Sequence, residues 1–82
     1  MYFVYILSSL VSKKSYVGIT DNLKRRLAQH NAGNGYYTKR YKPWKIIYTE
    51  KLEDREKARI REEYFKSAAG RRFLRKNIFK SN

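Results

Sequence analysis

The stretch SYVGITDNLKRRLAQHN, residues 15 to 31, constrains the fold more than any other part of this chain. A run of aromatic and β-branched residues, the pattern of a strand, passes through Gly18 and gives way almost at once to a helical pattern. A glycine inside a strand marks either a bulge or a place where another group comes close to the backbone. Asp21 is placed to cap a helix over residues 22–32, with Leu23, Leu27 and Ala28 as its buried stripe and Gly33 as its stop. Arg26 and His30 lie one turn apart on that helix and reach towards one place. Arg25 is rotated from Arg26 by about 100°, towards solvent or a phosphate.

The rest of the chain supplies partners for this corner. YFVYILS, residues 2–8, reads as a central strand, and the polar turn SLVSKK returns it to SYVGIT as an antiparallel hairpin. NAGNGYYTKRYKP is a loop by composition, closed by the only proline, and WKIIYTEKL is a third strand. Asp54 is expected to cap a second helix running to about Ala68. Gly70 is expected to break the chain before a short final helix, RRFLRKNIF. The order β-β-α-β-α-α predicts an α/β fold, a small three-stranded, mainly antiparallel sheet flanked by helices. No repeat, low-complexity run or linker divides the chain, so residues 1–82 are expected to form one domain.

Eighty-two residues are near the lower end of what one hydrophobic core sustains. A site here is expected to be a shallow groove, and its ligand larger than a metabolite, so no small-molecule substrate is expected. The formal net charge of +13 points to a polyanionic partner. Its distribution is uneven: residues 21–45 hold seven Lys/Arg against one acid, residues 67–82 hold five and no acid, and residues 46–54 are net negative. Arg25, Lys39, Arg40, Lys42, Arg71 and Arg72 are the candidate phosphate contacts. YYTKRYKPWK alternates aromatic and basic residues, which suits stacking on bases; it suits equally a loop anchored in the core by Trp44. The absence of cysteine excludes disulfides and thiolate metal sites. The opening YFVYILSSLV lacks a signal peptide's basic region and cleavage site and is too short to cross a bilayer. A cytoplasmic location and no membrane partner are therefore expected.

Few residues are able to do chemistry. On a helical projection Ala58, Phe65 and Ala69 fall within roughly 60° of Glu62, so its carboxylate is expected to face the protein. An inward carboxylate needs a cation, and either a metal or an arginine from another element serves. Glu63 is able to pair with Arg59 one turn back. Tyr5 and Tyr16 fall on adjacent strands, where they pack as a cross-strand pair or bring their hydroxyls together beside Arg26. A phenol of pKa about 10 is a poor base at neutral pH, and neighbouring cations are expected to lower that value. His30, the only histidine, suits packing as well as proton transfer.

In order and spacing, these residues resemble the GIY-YIG nuclease family. Its first signature stands here as Phe3-Val4-Tyr5 and its second as Tyr16-Val17-Gly18, with the tyrosines eleven residues apart. Arg26 follows Tyr16 by ten residues, in GITDNLKRRL, and matches the family's catalytic arginine. His30 stands where members carry histidine or tyrosine. AGNGYYTKRYKPWKIIY and ARIREEYFKS are similar to small stand-alone members, and Arg-Glu-x-x-x-Lys in the second segment puts the metal-binding glutamate at Glu62. There are departures. The first glycine is Phe3, both middle residues are valine, the later asparagine has only Asn77 as a candidate, and no separate DNA-recognition domain accompanies the motifs.

The resemblance implies the GIY-YIG fold and a metal-dependent endonuclease hydrolysing DNA phosphodiester bonds. It implies that Glu62 holds Mg²⁺ or Mn²⁺, that Arg26 neutralises phosphate charge, that Tyr5 or Tyr16 handles the attacking water, and that His30 assists. The implied partner is DNA, branched, damaged or single-stranded, in repair or recombination. Without a recognition domain weak sequence specificity is expected, and of the open oligomeric states a monomer is favoured. The alternative is a nucleic-acid-binding module of the same fold, on DNA or RNA, that binds the phosphate backbone without cutting it.

Overall fold

The strand that organises the molecule is apolar on both of its faces. β1 (Tyr2–Ser9) buries Val4, Tyr5, Ile6 and Leu7 in succession, and a strand buried on both sides belongs in the middle of a sheet. β2 (Ser15–Thr20) and β3 (Trp44–Leu52) flank it in the order β2-β1-β3, and every pairing is antiparallel. The computed structural model describes residues 1–79; Lys80, one of the C-terminal basic residues, lies outside them.

Because side chains alternate along a strand, β1 divides its residues between two cores. Val4 and Ile6 pack with Ala58 and Phe65 of α2 (Arg55–Lys66) and Leu74 of α3 (Ala68–Asn77). Tyr5 and Leu7 pack on the opposite side with Trp44, against Leu23 and Leu27 of α1 (Leu23–Asn31). The β1–β2 register runs without a break and sets Tyr5 opposite Gly18. On the other side, Ile6 faces Tyr48 and Leu7 faces Ile46, so Ile47 is the extra residue of a bulge in β3.

The order β-β-α-β-α-α and all three strands agree with the sequence reading, and the sheet is wholly antiparallel. The helix ends differ from it. Asn22, not Asp21, caps α1: its side chain accepts the Arg25 N–H at 2.9 Å, while Asp21 pairs with the Arg25 guanidinium at 2.7 Å. Ala28 is exposed, because the inward stripe runs through Leu23, Leu27 and buried His30. After the C-cap Ala32, Gly33 adopts φ 90° and stops the helix as expected.

Asp54 caps α2 through the Lys57 N–H at 2.9 Å, also as expected. That helix ends at Lys66 rather than near Ala68, because Ser67 turns the backbone extended and caps α3 by accepting the Gly70 N–H at 3.2 Å. Gly70 therefore lies inside α3 and breaks nothing. A Cβ there would strike the Tyr64 carbonyl and sit 2.6 Å from the Phe65 Cα, so the glycine serves the close approach of α3 to α2.

The loop from α1 to β3 holds a short 3₁₀ turn, Thr38–Arg40. Trp44 is buried, as the anchoring reading expects, and its indole N–H donates to the Thr38 carbonyl at 2.7 Å. Asn31 clamps the same residue from α1, accepting from the Trp44 N–H at 2.6 Å and donating to its carbonyl at 3.1 Å. Among the described residues, no helix is long and apolar enough to cross a membrane.

Candidate active site

Gly18 is where the site begins. Its place in the strand is regular, so it is no bulge; the Tyr5 ring crosses directly above it. A Cβ at residue 18 would lie 2.5 Å from the Tyr5 hydroxyl and 2.9 Å from the Tyr16 ring. Any side chain there displaces Tyr5. The Tyr5 and Tyr16 rings are not directly opposite, since Tyr16 pairs with Leu7, but their centroids are 6.2 Å apart.

Behind Tyr5 runs a buried polar row. The Tyr5 hydroxyl and His30 Nε2 are hydrogen-bonded at 2.9 Å, and His30 Nδ1 and the Thr38 hydroxyl at 2.8 Å. All three side chains are at most 2 % exposed. Burial pushes the Tyr5 phenol up to about 12, with the neighbouring Tyr16 adding to the rise and Arg26 opposing it. Burial also lowers the His30 imidazole to about 4, and the Arg26 charge lowers it further. The expectation that nearby cations would favour phenolate is overturned at Tyr5, because desolvation outweighs Arg26. At neutral pH the row is a neutral phenol on a neutral imidazole.

In front of Tyr5 lies an open cleft of about 400 Å³, lined among others by Tyr5, Tyr16, Arg26 and Glu62. Half-buried Arg26 donates from Nη1 to the Gln29 Oε1 at 3.0 Å, which fixes its direction. The Glu62 side chain is 19 % exposed, and Lys66 Nζ donates to its Oε2 at 3.1 Å. Its cationic partner is thus a lysine one turn along its own helix, not an arginine from another element. Ala69 is exposed on α3 and is no neighbour in α2, so only Ala58 and Phe65 of the projected surroundings are buried.

Among the described residues no group of three His, Cys, Asp or Glu converges as a metal cage. One carboxylate in an open cleft fits a hard cation that keeps most of its water shell. The Lys66 ammonium already stands on that carboxylate as a cation would, and its side chain is 55 % exposed and able to withdraw.

Tyr5, Tyr16, Arg26 and Glu62 come together at this cleft; His30 lies one layer behind. The outer cations are dispersed. Arg25 is exposed and paired with Asp21, while Lys39 and Arg40 are exposed in the 3₁₀ turn over the rings of Tyr36 and Tyr41. Lys42 is exposed beyond that turn and Arg72 on α3, whereas Arg71 lines a second groove. Asn77 donates its side-chain amide to the Phe73 carbonyl, away from the cleft. Glu63 pairs with Arg59 at 3.9 Å, as expected.

Sequence reasoning missed Thr38, Gln29, Arg55 and Arg59. The two arginines had a signal: Arg55, Arg59, Glu62 and Lys66 fall on one face of α2, and all four line the cleft. Thr38 had none, being one polar residue in a loop, eight positions from the histidine it meets.

A family model described as the GIY-YIG catalytic domain matches residues 1–77. The chain is 37 % identical over 67 residues to a UPF0213 protein of Natronomonas pharaonis, covering 80 % of this chain and 78 % of that one. It is 42 % identical over 65 residues to a UPF0213 protein of Streptococcus pyogenes serotype M3, covering 78 % and 70 % respectively. Its fold is similar to the solution NMR structure of a UPF0213 protein from Bacillus halodurans, with a TM-score of 0.53 and 29 % identity over 89 % of this chain and 80 % of that one. The matched span takes in both signature tyrosines, Arg26 and the helix that carries Glu62, and the chain belongs to the GIY-YIG family.

Proposed function

We propose that this chain is a metal-dependent endonuclease that hydrolyses DNA phosphodiester bonds with weak sequence specificity, in repair or recombination. The observation that carries this reading is the single cleft in which a guanidinium, a carboxylate and two phenols meet. Glu62 would hold Mg²⁺ or Mn²⁺; such an ion, when bound, stabilises charge on the leaving oxygen and on phosphorus. Arg26, held by Gln29, lies against the non-bridging oxygens and takes up the charge that grows on them. Lys66, released from Glu62, is free for an adjacent phosphate.

The two tyrosines divide the work on the nucleophile. The Tyr5 hydroxyl is engaged with His30, whereas Tyr16 is half-buried at the cleft wall and orients the attacking water. A preformed phenolate at Tyr5 is excluded near neutral pH. A proton arriving at Tyr5 is therefore matched by the phenol proton passing to His30 Nε2. Burial, the larger cause, and the Arg26 charge both disfavour imidazolium at His30, and a phosphate in the cleft would offset only the second.

The Lys66–Glu62 pair favours one competing reading, a binding module in which the ammonium permanently fills the cation position. Supercoiled plasmid with Mg²⁺, Mn²⁺ or EDTA separates the two. The nuclease nicks only with metal, Glu62→Gln retards DNA as well as the parent but does not nick, and Arg26→Ala slows single-turnover cleavage on the order of 10²-fold. Nicking by Glu62→Gln at the parental rate would remove Glu62 from the mechanism. Salt-sensitive retardation with no nicking by any form would leave the binding module.

A further inference from the structure

A second concavity, about 1250 Å³, shares Tyr16 and Lys66 with the catalytic cleft. Lys13 and Lys14 of the β1–β2 turn bound it, as do Arg71 and Arg75 of α3. All four are exposed, and among the described residues no carboxylate pairs with any of them. None of its described lining residues is acidic. Tyr37 also lines it, 40 % exposed, its ring stacked on Tyr16 at 6.1 Å and 28°, packed against Tyr41 at 5.3 Å and Trp44 at 6.2 Å, and its hydroxyl donating to the Ser15 carbonyl at 3.3 Å. The rings of Tyr5, Tyr16 and Tyr37 thus form a continuous series from the cleft into the groove.

We propose that this groove binds a single strand of nucleic acid continuous with the strand in the catalytic cleft. The four cations meet its phosphates and the exposed part of the Tyr37 ring takes a base. An exposed ring held by its neighbours, beside a cationic rim, is what recognises unpaired bases; in a duplex the base faces are already stacked on each other. The volume suits a run on the order of four nucleotides, the lower end of single-strand site sizes. A second copy of this chain is a poor occupant, since each carries a net charge of +13. The substrate class that follows is DNA unpaired beside the scissile bond. This rests on the nuclease reading for the cleft, while the groove itself is testable without cleavage.

The experiment is fluorescence anisotropy in EDTA, where no cutting interferes, with labelled dT₁₂, U₁₂, a hairpin duplex of the same length and poly-glutamate as probes. The parent is expected to bind dT₁₂ more tightly than the duplex, and the U₁₂ arm shows whether the sugar matters. Arg71→Glu/Arg75→Glu should weaken dT₁₂ at least tenfold and the duplex no more than about threefold. Lys13→Glu/Lys14→Glu, on a different element, should repeat the loss and keeps the test alive if the first pair fails to fold. Tyr37→Ala should weaken dT₁₂ about tenfold and Tyr37→Phe should not, as stacking requires. Equal losses for dT₁₂ and duplex, no loss with either charge pair, or poly-glutamate binding as tightly as dT₁₂ would overturn the proposal. If plasmid is nicked normally while these variants bind dT₁₂ like the parent, only the groove assignment falls; if dT₁₂ binding behaves as expected and nothing is nicked, only the nuclease reading falls.

Discussion

The two faces of β1 are made of different materials. One face, Val4 and Ile6 against Ala58, Phe65 and Leu74, is a core of carbon side chains. The other sets Tyr5 and Leu7 beside Trp44, with His30 and Thr38 buried among them. No buried side-chain N or O among the described residues lacks a partner, so the polar face is a completed network and not a defect. Completed networks hold geometry, whereas half-completed ones are costly. One side of a single strand thus supplies stability, and the other keeps a phenol at a fixed distance from an imidazole.

Breaking the apolar face should have the largest effect. Phe65→Ala is expected to cost about 3–5 kcal/mol in urea unfolding, a large share of the roughly 5–15 kcal/mol that holds a domain together. In the folded fraction Tyr5 should still titrate near 12, read by phenolate absorbance. A drop towards 10 would mean that the faces are not separate.

His30 comes next, through pH. The unfolded imidazole takes up a proton near 6.5 and the folded one only near 4, so the unfolded state binds more protons in between. This contribution to stability is fully present above 6.5 and is lost as pH falls towards 4, on the order of 3 kcal/mol. Measured against His30→Gln, the parent should lose that increment across the window. Parallel stability curves for the two proteins would contradict a buried neutral imidazole.

Smaller effects sharpen the polar face. Gly18→Ala should cost about 1–3 kcal/mol by overpacking; by pushing the Tyr5 ring towards water, it should also bring the Tyr5 titration down from about 12. Thr38→Val removes one buried hydrogen bond, for roughly 1 kcal/mol. Its distinguishing readout is the ¹⁵N shift of His30 Nδ1, which should move in Thr38→Val and stay near the parental value in Thr38→Ser.

Much of this division was legible before any coordinates. The aromatic and β-branched run YFVYILS, the tyrosine and glycine of the second strand and the Arg26–His30 pair are local patterns, and local patterns survive folding. The errors came where neighbouring residues compete for one task. Asp21 and Asn22 are both good caps, and only the backbone decides between them. Gly70 reads as a breaker by helix propensity, but the space between α2 and α3 demands a residue without a side chain, and the real break is made by Ser67. The depth of Tyr5 was out of reach for a related reason. Its raised pKa depends on how closely α1 and the loop at Thr38 cover it, which a charge count along the chain cannot register.

The claim on which the account turns is that Glu62 directs its carboxylate to a cation position shared with Arg26 and the tyrosines. The most direct measurement is Mn²⁺-induced line broadening in a ¹⁵N–¹H correlation spectrum of the free protein. Broadening is expected to centre on Glu62, to reach the amides of Gly18 and Ile19, which line the same cleft, and to disappear in Glu62→Gln. Broadening centred instead on the acidic turn at Glu53 and Asp54, or a pattern unchanged in Glu62→Gln, would contradict it.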